Sequence, residues 1–363
     1  MKIHHLIIEL GVGGAEAMLA KLIASDEKYK HKIYIFRSLP ERDNFFRSIG
    51  AEVEKVSWIE LAKKVKEDDC KILMAWLFHA CVASALTKAL YYKKLKVIWN
   101  IRYSSFPKTS LVIRFFVFIL QFLSRFCDVI IYNSVSGKSH HEKLGYANKN
   151  SLVIANGFEC TRFYPQPENK KLFFEKQSIP ANAFVCGMVA RYNRYKNHSA
   201  FIHTALEFLA KCDNEQQPLY FVFVGINMSD KNEKLMAILN KSKFKNRFLF
   251  LDQQHELENI YPNFDIHCLY STTEGFPNVV AEAMACGIPC IATNAGDIKT
   301  IIADTGWLIE VNDSEALLKA LQTAYTMPSA ELKKMGANAR SRIKDKYSIA
   351  TIVSEYQSLL SSL

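Results

Sequence analysis

The stretch TEGFPNVVAEAMACG, Thr273 to Gly287, sets two glutamates eight positions apart with no charge between them. The run before it, FDIHCLY (Phe264–Tyr270), has the apolar content of a buried strand. Ser271–Phe276 then reads as a strand-to-helix loop, in which Gly275 has backbone freedom. Pro277 suits a first helical position. Asn278–Cys286 reads as the helix, and Gly287 as its C-terminal stop. Glu274 therefore falls on the loop, and Glu282 falls about one turn inside the helix, on the face of Asn278. The N–H groups around Asn278, Val279 and Val280 stand at the positive end of the helix dipole, a place suited to phosphate. Carboxylates accept hydrogen bonds from vicinal hydroxyls. A ligand with sugar, diphosphate and ribose in sequence would use both glutamates and the helix start. The plainer role, Glu282 complementing the dipole and Glu274 solvated, fits a lone pair of glutamates better than it fits this strand–EGxP–helix context.

The rest of the chain alternates in the same way. Strand candidates in the first half are Ile3–Leu10, Lys32–Phe36, Lys71–Trp76, Val97–Ile101, Val129–Asn133 and Leu152–Ala155. A proline-bearing stretch, TRFYPQPENK (Thr161–Lys170), reads as a linker. Phe184–Val189, Tyr220–Val224, Phe248–Leu251, Ile266–Tyr270, Pro289–Thr293 and Trp307–Ile309 follow as strands, with helices between. Strands alternating with helices predict open, mostly parallel α/β sheets. With 363 residues, two domains are expected. The expected division is residues 1–165, residues 166–345 and a C-terminal helix over 346–363. Ligands in such sheets bind at the carboxyl ends of the strands.

The N-terminus, MKIHHLIIEL, reads as a first buried strand rather than a signal peptide. No segment offers the roughly 20 uninterrupted apolar residues of a spanning helix. Nine scattered cysteines without a CxxC pair point to reduced thiols, without disulfides or a zinc site. The net charge of +10 lies wholly in the first half: residues 1–165 hold 25 basic and 15 acidic side chains, the remainder 21 of each. Cys70–Cys127 has nine basic residues and no acid. Such a region attracts an anionic surface or ligand, or is a solvated basic face.

EGFPNVVAEAMACGIPCIAT resembles the signature of the family-4 retaining glycosyltransferases, a GT-B fold family with an E-x7-E pair. GVGGAE (Gly11–Glu16) resembles their N-terminal glycine loop. NGFECTRF (Asn156–Phe163) resembles the segment ending their first domain, and MVARYNRYKN (Met188–Asn197) their Arg/Lys phosphate clamp. The resemblance implies two Rossmann-like, doubly wound domains facing a central cleft, with the C-terminal helix packing back on the first. It implies that Glu274 binds the donor sugar's hydroxyls and Glu282 the ribose. Arg191 and Lys196 would clamp the diphosphate and neutralise charge on the leaving nucleotide. Gly13 and Gly14, with Asn278, Val279 and Val280, would approach the donor phosphates. The implied reaction is metal-independent, retaining sugar transfer from a nucleotide-sugar donor, UDP-linked in preference to GDP-linked, with no further cofactor.

GVGGAE lacks the third glycine of a dinucleotide fingerprint, and KIYIFRS ends without the acid that would hold an NAD ribose. An oxidoreductase is thereby disfavoured. Many family members carry a histidine after a middle N-domain strand. Here that strand is KVIWNIRYS, and Asn100 or Arg102 appears instead. His79, in AWLFHA, is the other acceptor-side candidate, and Arg102 could hold an acceptor phosphate.

LVIRFFVFILQFLSRF (Leu111–Phe126) is nearly all apolar. It reads either as a buried domain helix or as a helix docking on a membrane, its aromatics in the interface and Lys93, Lys94, Lys96 and Lys108 on anionic headgroups. The second reading fits a lipid-linked, lipopolysaccharide or polysaccharide acceptor at the inner face of a bacterial cytoplasmic membrane, met by a peripheral cytoplasmic enzyme. Three other classes share parts of this pattern: an inactive homologue with a binding or regulatory role, a nucleotide-sugar epimerase, and a nucleic-acid-binding protein. No nucleic-acid motif accompanies the charge.

Overall fold

The computed structural model describes residues 1–103, 111–147, 149–212 and 217–363, with Leu111–Ile113 as backbone alone. Lys108 lies outside the described residues. The chain divides into two compact units, Met1–Gly157 with Ile349–Leu363, and Phe158–Ser348.

The first unit holds seven strands: β1 (Lys2–Ile7), β2 (Lys30–Ile35), β3 (Ala51–Lys55), β4 (Ile72–Trp76), β5 (Lys96–Ile101), β6 (Val129–Tyr132) and β7 (Ser151–Val153). Their order is β3-β2-β1-β4-β5-β6-β7, and every pairing is parallel. The chain winds outward in one direction from β1 and then in the other from β4, the doubly wound pattern. Strand β3, AEVEK, has no counterpart among the strands expected from sequence. It is a short edge strand with charged residues at alternate positions, and that composition protects an edge while hiding it from a search for apolar runs.

The C-terminal helix, Ile349–Ser361, belongs to this unit, as expected. It buries Ile352, Val353, Tyr356 and Leu360 in the same core as Ile3, Ile7, Leu19 and Ile98. Polar groups fix its position. Tyr356 OH accepts from Asn100 Nδ2 at 2.8 Å and from Arg102 Nη2 at 2.5 Å, and Gln357 Nε2 donates to Asp26 Oδ1 at 2.8 Å.

The second unit holds β8 (Phe184–Val189), β9 (Leu219–Val224), β10 (Phe248–Phe250), β11 (Ile266–Leu269), β12 (Cys290–Thr293) and β13 (Trp307–Ile309). The order is β10-β9-β8-β11-β12-β13, again wholly parallel. β8 is buried along its whole length, as expected where helices cover both faces. The winding reverses between β8 and β11. The segment read as a linker is instead fastened onto this unit. Arg162 makes a two-pronged ion pair with Glu258 at 2.8 and 3.0 Å, and Lys170 reaches Asp265 at 2.7 Å.

Candidate active site

β8 and β11 are neighbours at the reversal point, so the loops at their carboxyl ends lie side by side. After β8 the chain passes through Ala190 and Arg191 into a 3₁₀ turn, Arg194–Lys196. Asn193 Oδ1 accepts from the Tyr195 amide at 2.9 Å and caps the turn. Asn197, at φ 56°, then turns the chain into the helix His198–Cys212. After β11 comes the Ser271–Phe276 loop. Thr272 stitches the two loops together, its amide donating to the Tyr195 carbonyl at 2.7 Å and its hydroxyl to the same oxygen at 3.3 Å.

This stitching brings Lys196 against Glu274. The ammonium donates to Oε1, with the two side chains only 20% and 10% exposed. The other side of the Glu274 loop rests on Gly296, at φ +61°. A β-carbon there would lie 2.4 Å from the Glu274 carbonyl oxygen. Only glycine fits such an approach, and the neighbouring Asp297 amide donates to the Gly275 carbonyl at 3.0 Å.

The helix Asn278–Ala285 begins after Pro277, which occupies the cap position rather than the first turn. Gly287 ends it at φ +75°, as expected. The Val280 amide donates to the Pro277 carbonyl at 3.2 Å. It is therefore engaged within the first turn rather than being an unpaired donor. Glu282 lies one turn in, and its Oε2 accepts from Tyr261 OH at 2.9 Å. Tyr261 is fully buried. Burial first, then the Glu282 carboxylate, push its phenol well above the usual range, so it stays a donor.

Two buried histidines lie beneath the lysine. Desolvation first, and the Lys196 charge second, lower His267 to about 3 and His198 to about 4. Both are neutral near neutral pH. Arg191 is exposed and has no ion pair or hydrogen bond among the described residues. It lines a cavity of about 200 Å³ together with Gly225, Gln253, Gln254, Leu257 and Val279. Gly225, at φ +146°, lets the ends of β8 and β9 close on each other: a β-carbon there would sit 2.3 Å from the Ala190 carbonyl oxygen. A larger cavity, about 510 Å³, opens beside edge strand β10 and is lined by Tyr220, Asp230, Lys245 and Phe248. It holds none of the expected site residues, so the chemistry favours the smaller one.

In the first unit, Gly13 caps the helix Gly14–Ser25. A β-carbon on Gly13 would lie 2.4 Å from Glu16 Oε2, whereas Gly14 has nothing within 4 Å. The carboxylate of Glu16 thus folds over its own helix start at Gly13, and the space beside Gly14 is open. His79 is exposed in the first turn of the helix Leu77–Leu86, 5.4 Å from the Phe116 ring. Leu77, the first residue of that helix and two before His79, has φ 67°, a strained backbone for a branched residue. Arg102 is committed elsewhere. It donates to Asn100 at 3.0 Å, to Asn156 and to Tyr356, and covers the Trp76 ring at 5.2 Å. That geometry is a tether for the C-terminal helix.

Sequence reading did not single out Tyr261, Thr272, Gly225 or Gly296. The glycines stood at strand ends, where a backbone approach is a known signal. The tyrosine and threonine carry no signal of their own.

Residues 169–342 match the family described as Glycosyl transferases group 1. The chain is 34% identical over 128 residues to N-acetyl-alpha-D-glucosaminyl L-malate synthase of Bacillus anthracis, covering 34% of this chain and 33% of that protein. It is 28% identical over 211 residues to UDP-Gal:alpha-D-GlcNAc-diphosphoundecaprenol alpha-1,3-galactosyltransferase of Escherichia coli, covering 57% of this chain and 53% of the relative. The chain thus spans a third to about half the length of these curated relatives. The crystal structure of Anabaena Alr3699/HepE in complex with UDP superposes with a TM-score of 0.86 over 100% of both chains, at 20% identity.

Proposed function

We propose that the protein, whose residues 169–342 match the glycosyl transferases group 1 family and whose two sheets are those of the GT-B fold, transfers a sugar from a nucleotide-sugar donor to a glycan or lipid-linked acceptor in bacterial surface-glycan synthesis. The observation that carries this reading is the meeting of Lys196, Glu274 and the Asn278 helix at the reversal point of one sheet.

In this reading Arg191 and Lys196 hold the diphosphate, Glu274 accepts from hydroxyls of the donor sugar, and Glu282 accepts from the ribose. Tyr261 orients Glu282. The bond between the anomeric carbon and the phosphate oxygen breaks while a bond to the acceptor oxygen forms. The departing diphosphate gains charge, and the two cations, Lys196 held by Glu274 and Arg191 at the cavity wall, stabilise it more than they stabilise the bound donor. We assign the diphosphate's charge to these cations rather than to a metal. We take the transfer to be retaining, with the leaving phosphate receiving the acceptor hydroxyl's proton on the same face.

UDP is the nucleotide we favour. The E. coli relative is named for UDP-Gal and a diphosphoundecaprenol-linked acceptor, and the Anabaena structure contains UDP. No described helix is long and apolar enough to cross a membrane. We place the protein peripherally on the inner face of the cytoplasmic membrane, where such donors and acceptors meet.

Thermal unfolding with UDP, GDP and ADP tests the site. A nucleotide at about 100 times its dissociation constant adds roughly 2.7 kcal/mol. Stabilisation by UDP that is lost in Arg191→Ala supports the assignment. No shift with any nucleotide overturns it.

A further inference from the structure

The helix Leu111–Leu123 in the first unit is apolar on both its sides. Its inner stripe, Val117, Leu120 and Leu123, is at most 7% exposed. Its outer stripe is not polar, as a surface helix requires. Phe115, Phe118 and Phe122 are 65, 63 and 54% exposed. Their spacing of three and four sets them on one line along the helix. The helix packs on Leu77–Leu86, whose continuation, Thr87–Tyr91, exposes Leu90 and Tyr91 as well. Scattered apolar residues on a surface need no explanation, but a contiguous aromatic stripe marks an interaction face.

Charge says what covers it. Among the basic residues of the acid-free run, Lys88 and Lys96 pair with Asp128, and Lys71 with Asp69. Arg102 is tethered within the unit. Apart from Lys108, which lies outside the described residues, Lys93, Lys94, Arg114 and Arg125 remain, all exposed and without an acidic partner among the described residues. Arg114 and Arg125 lie at the two ends of the phenylalanine stripe, and Lys93 and Lys94 follow Tyr91. Aromatic side chains between unpaired cations match the boundary of an anionic bilayer, where rings enter the headgroup level and cations meet phosphates. A second copy of the same face would bring these cations against each other. A nucleic acid would leave the stripe in water.

We propose that the outer face of Leu111–Leu123, with Leu90 and Tyr91 beside it, is the surface by which the first unit docks on an anionic lipid bilayer. This specifies a partner for the peripheral location above, and it stands on exposure and charge rather than on the donor site.

The test is flotation of the full chain with vesicles of phosphatidylglycerol and phosphatidylethanolamine, against vesicles of phosphatidylcholine alone. The chain is expected to float with the first and not the second, and to be released by high salt. Removing a cation costs roughly fivefold in partition, so Lys93→Ala with Lys94→Ala should weaken flotation about 25-fold by the same rule. Phe115→Ser with Phe118→Ser should abolish it with no loss of thermal stability, because both rings are already in water. The UDP-induced shift in the same variants should be unchanged, which separates failure of docking from failure of the donor site. Equal binding to both vesicle types, or flotation unaffected by the phenylalanine changes, overturns the proposal. So does a lipid-free dimer in sedimentation equilibrium that Phe118→Glu splits, since the face would then belong to a second copy.

Discussion

Lys196 donates to Glu274 across two loops that Thr272 stitches together, so a cation and a carboxylate assigned to different parts of one donor hold each other in place. Removing either partner has two consequences. Lys196→Ala leaves a mostly buried carboxylate without its counter-charge, a loss of about 1–3 kcal/mol in folding stability. It also removes a cation from the leaving group, so transfer should fall at least about 100-fold. The double variant Lys196→Ala/Glu274→Gln should be more stable than the sum of the single changes implies, by about 0.5–3 kcal/mol. Urea unfolding of the four proteins, with single-turnover assays, checks both parts. Strict additivity would mean that the two groups do not interact in solution.

Tyr261→Phe deletes one hydroxyl beneath Glu282. The ring stays in its buried site, so stability should change by no more than about 1.5 kcal/mol. Glu282 loses its orienting donor. The donor's KM should rise about tenfold, equivalent to about 1.4 kcal/mol, with kcat little changed, because the ribose contact is equal in ground and transition states. A fall in kcat at constant KM would contradict the role given to Glu282.

Gly225→Ala should do more damage than an alanine elsewhere at a strand end. Its φ of +146° and the 2.3 Å approach to the Ala190 carbonyl both forbid a β-carbon without movement. The expected cost is about 1–3 kcal/mol, and the displaced backbone carries Arg191. The UDP-induced thermal shift should shrink in step. A variant as stable as wild type with an intact shift would show that the two strand ends are further apart.

Acid should unfold the protein through its histidines. Burial holds His4, His141 and His198 at about 4 and His267 at about 3. Above about pH 6.5 these rings are neutral in both folded and unfolded chains. Below it the unfolded chain takes up protons that the folded one refuses. Stability is therefore full above pH 6.5 and falls toward pH 4, by about 1.4 kcal/mol per pH unit for each histidine. His4 isolates one contribution. It is buried against Tyr34, at 5.7 Å between ring centroids, and neither ring nitrogen has a hydrogen-bond partner among the described residues. His4→Phe should gain about 2 kcal/mol over wild type on going from pH 7.5 to pH 5.0. An identical difference at both pH values, measured by urea unfolding, would refute it.

Much of this was readable from the residues alone, and the exceptions have physical causes. Buried parallel strands such as FVCGMV and IHCL are continuous apolar runs and were placed within a residue or two of their observed limits. AEVEK was not, because an edge strand needs no apolar face. The Glu274 loop and its helix were legible because glycine, proline and glutamate each mark a local backbone event. Tyr261 was not, because its partner lies 21 positions away and only the fold brings them together. Arg102 shows the opposite failure: a cation at a strand end looks like a ligand contact until Asn156 and Tyr356 are seen beside it. The helix Leu111–Leu123 was open to two readings because a nearly all-apolar sequence does not say which side faces water.

The chain leaves its first unit at Gly157 and returns to it only at Ile349. During synthesis, at about 5–20 residues per second, the intervening segment takes on the order of 10–40 s to appear. Through that interval the nascent first unit lacks the helix that will cover Ile3, Leu19 and Ile98, and Asn100 and Arg102 lack the tyrosine hydroxyl they will share. The second unit, a continuous piece of chain, is complete before the first can close. Biogenesis is thereby ordered against the direction of translation: the unit that is begun second is finished first, and the codons for Ile349–Leu363 seal the unit that Met1–Gly157 began.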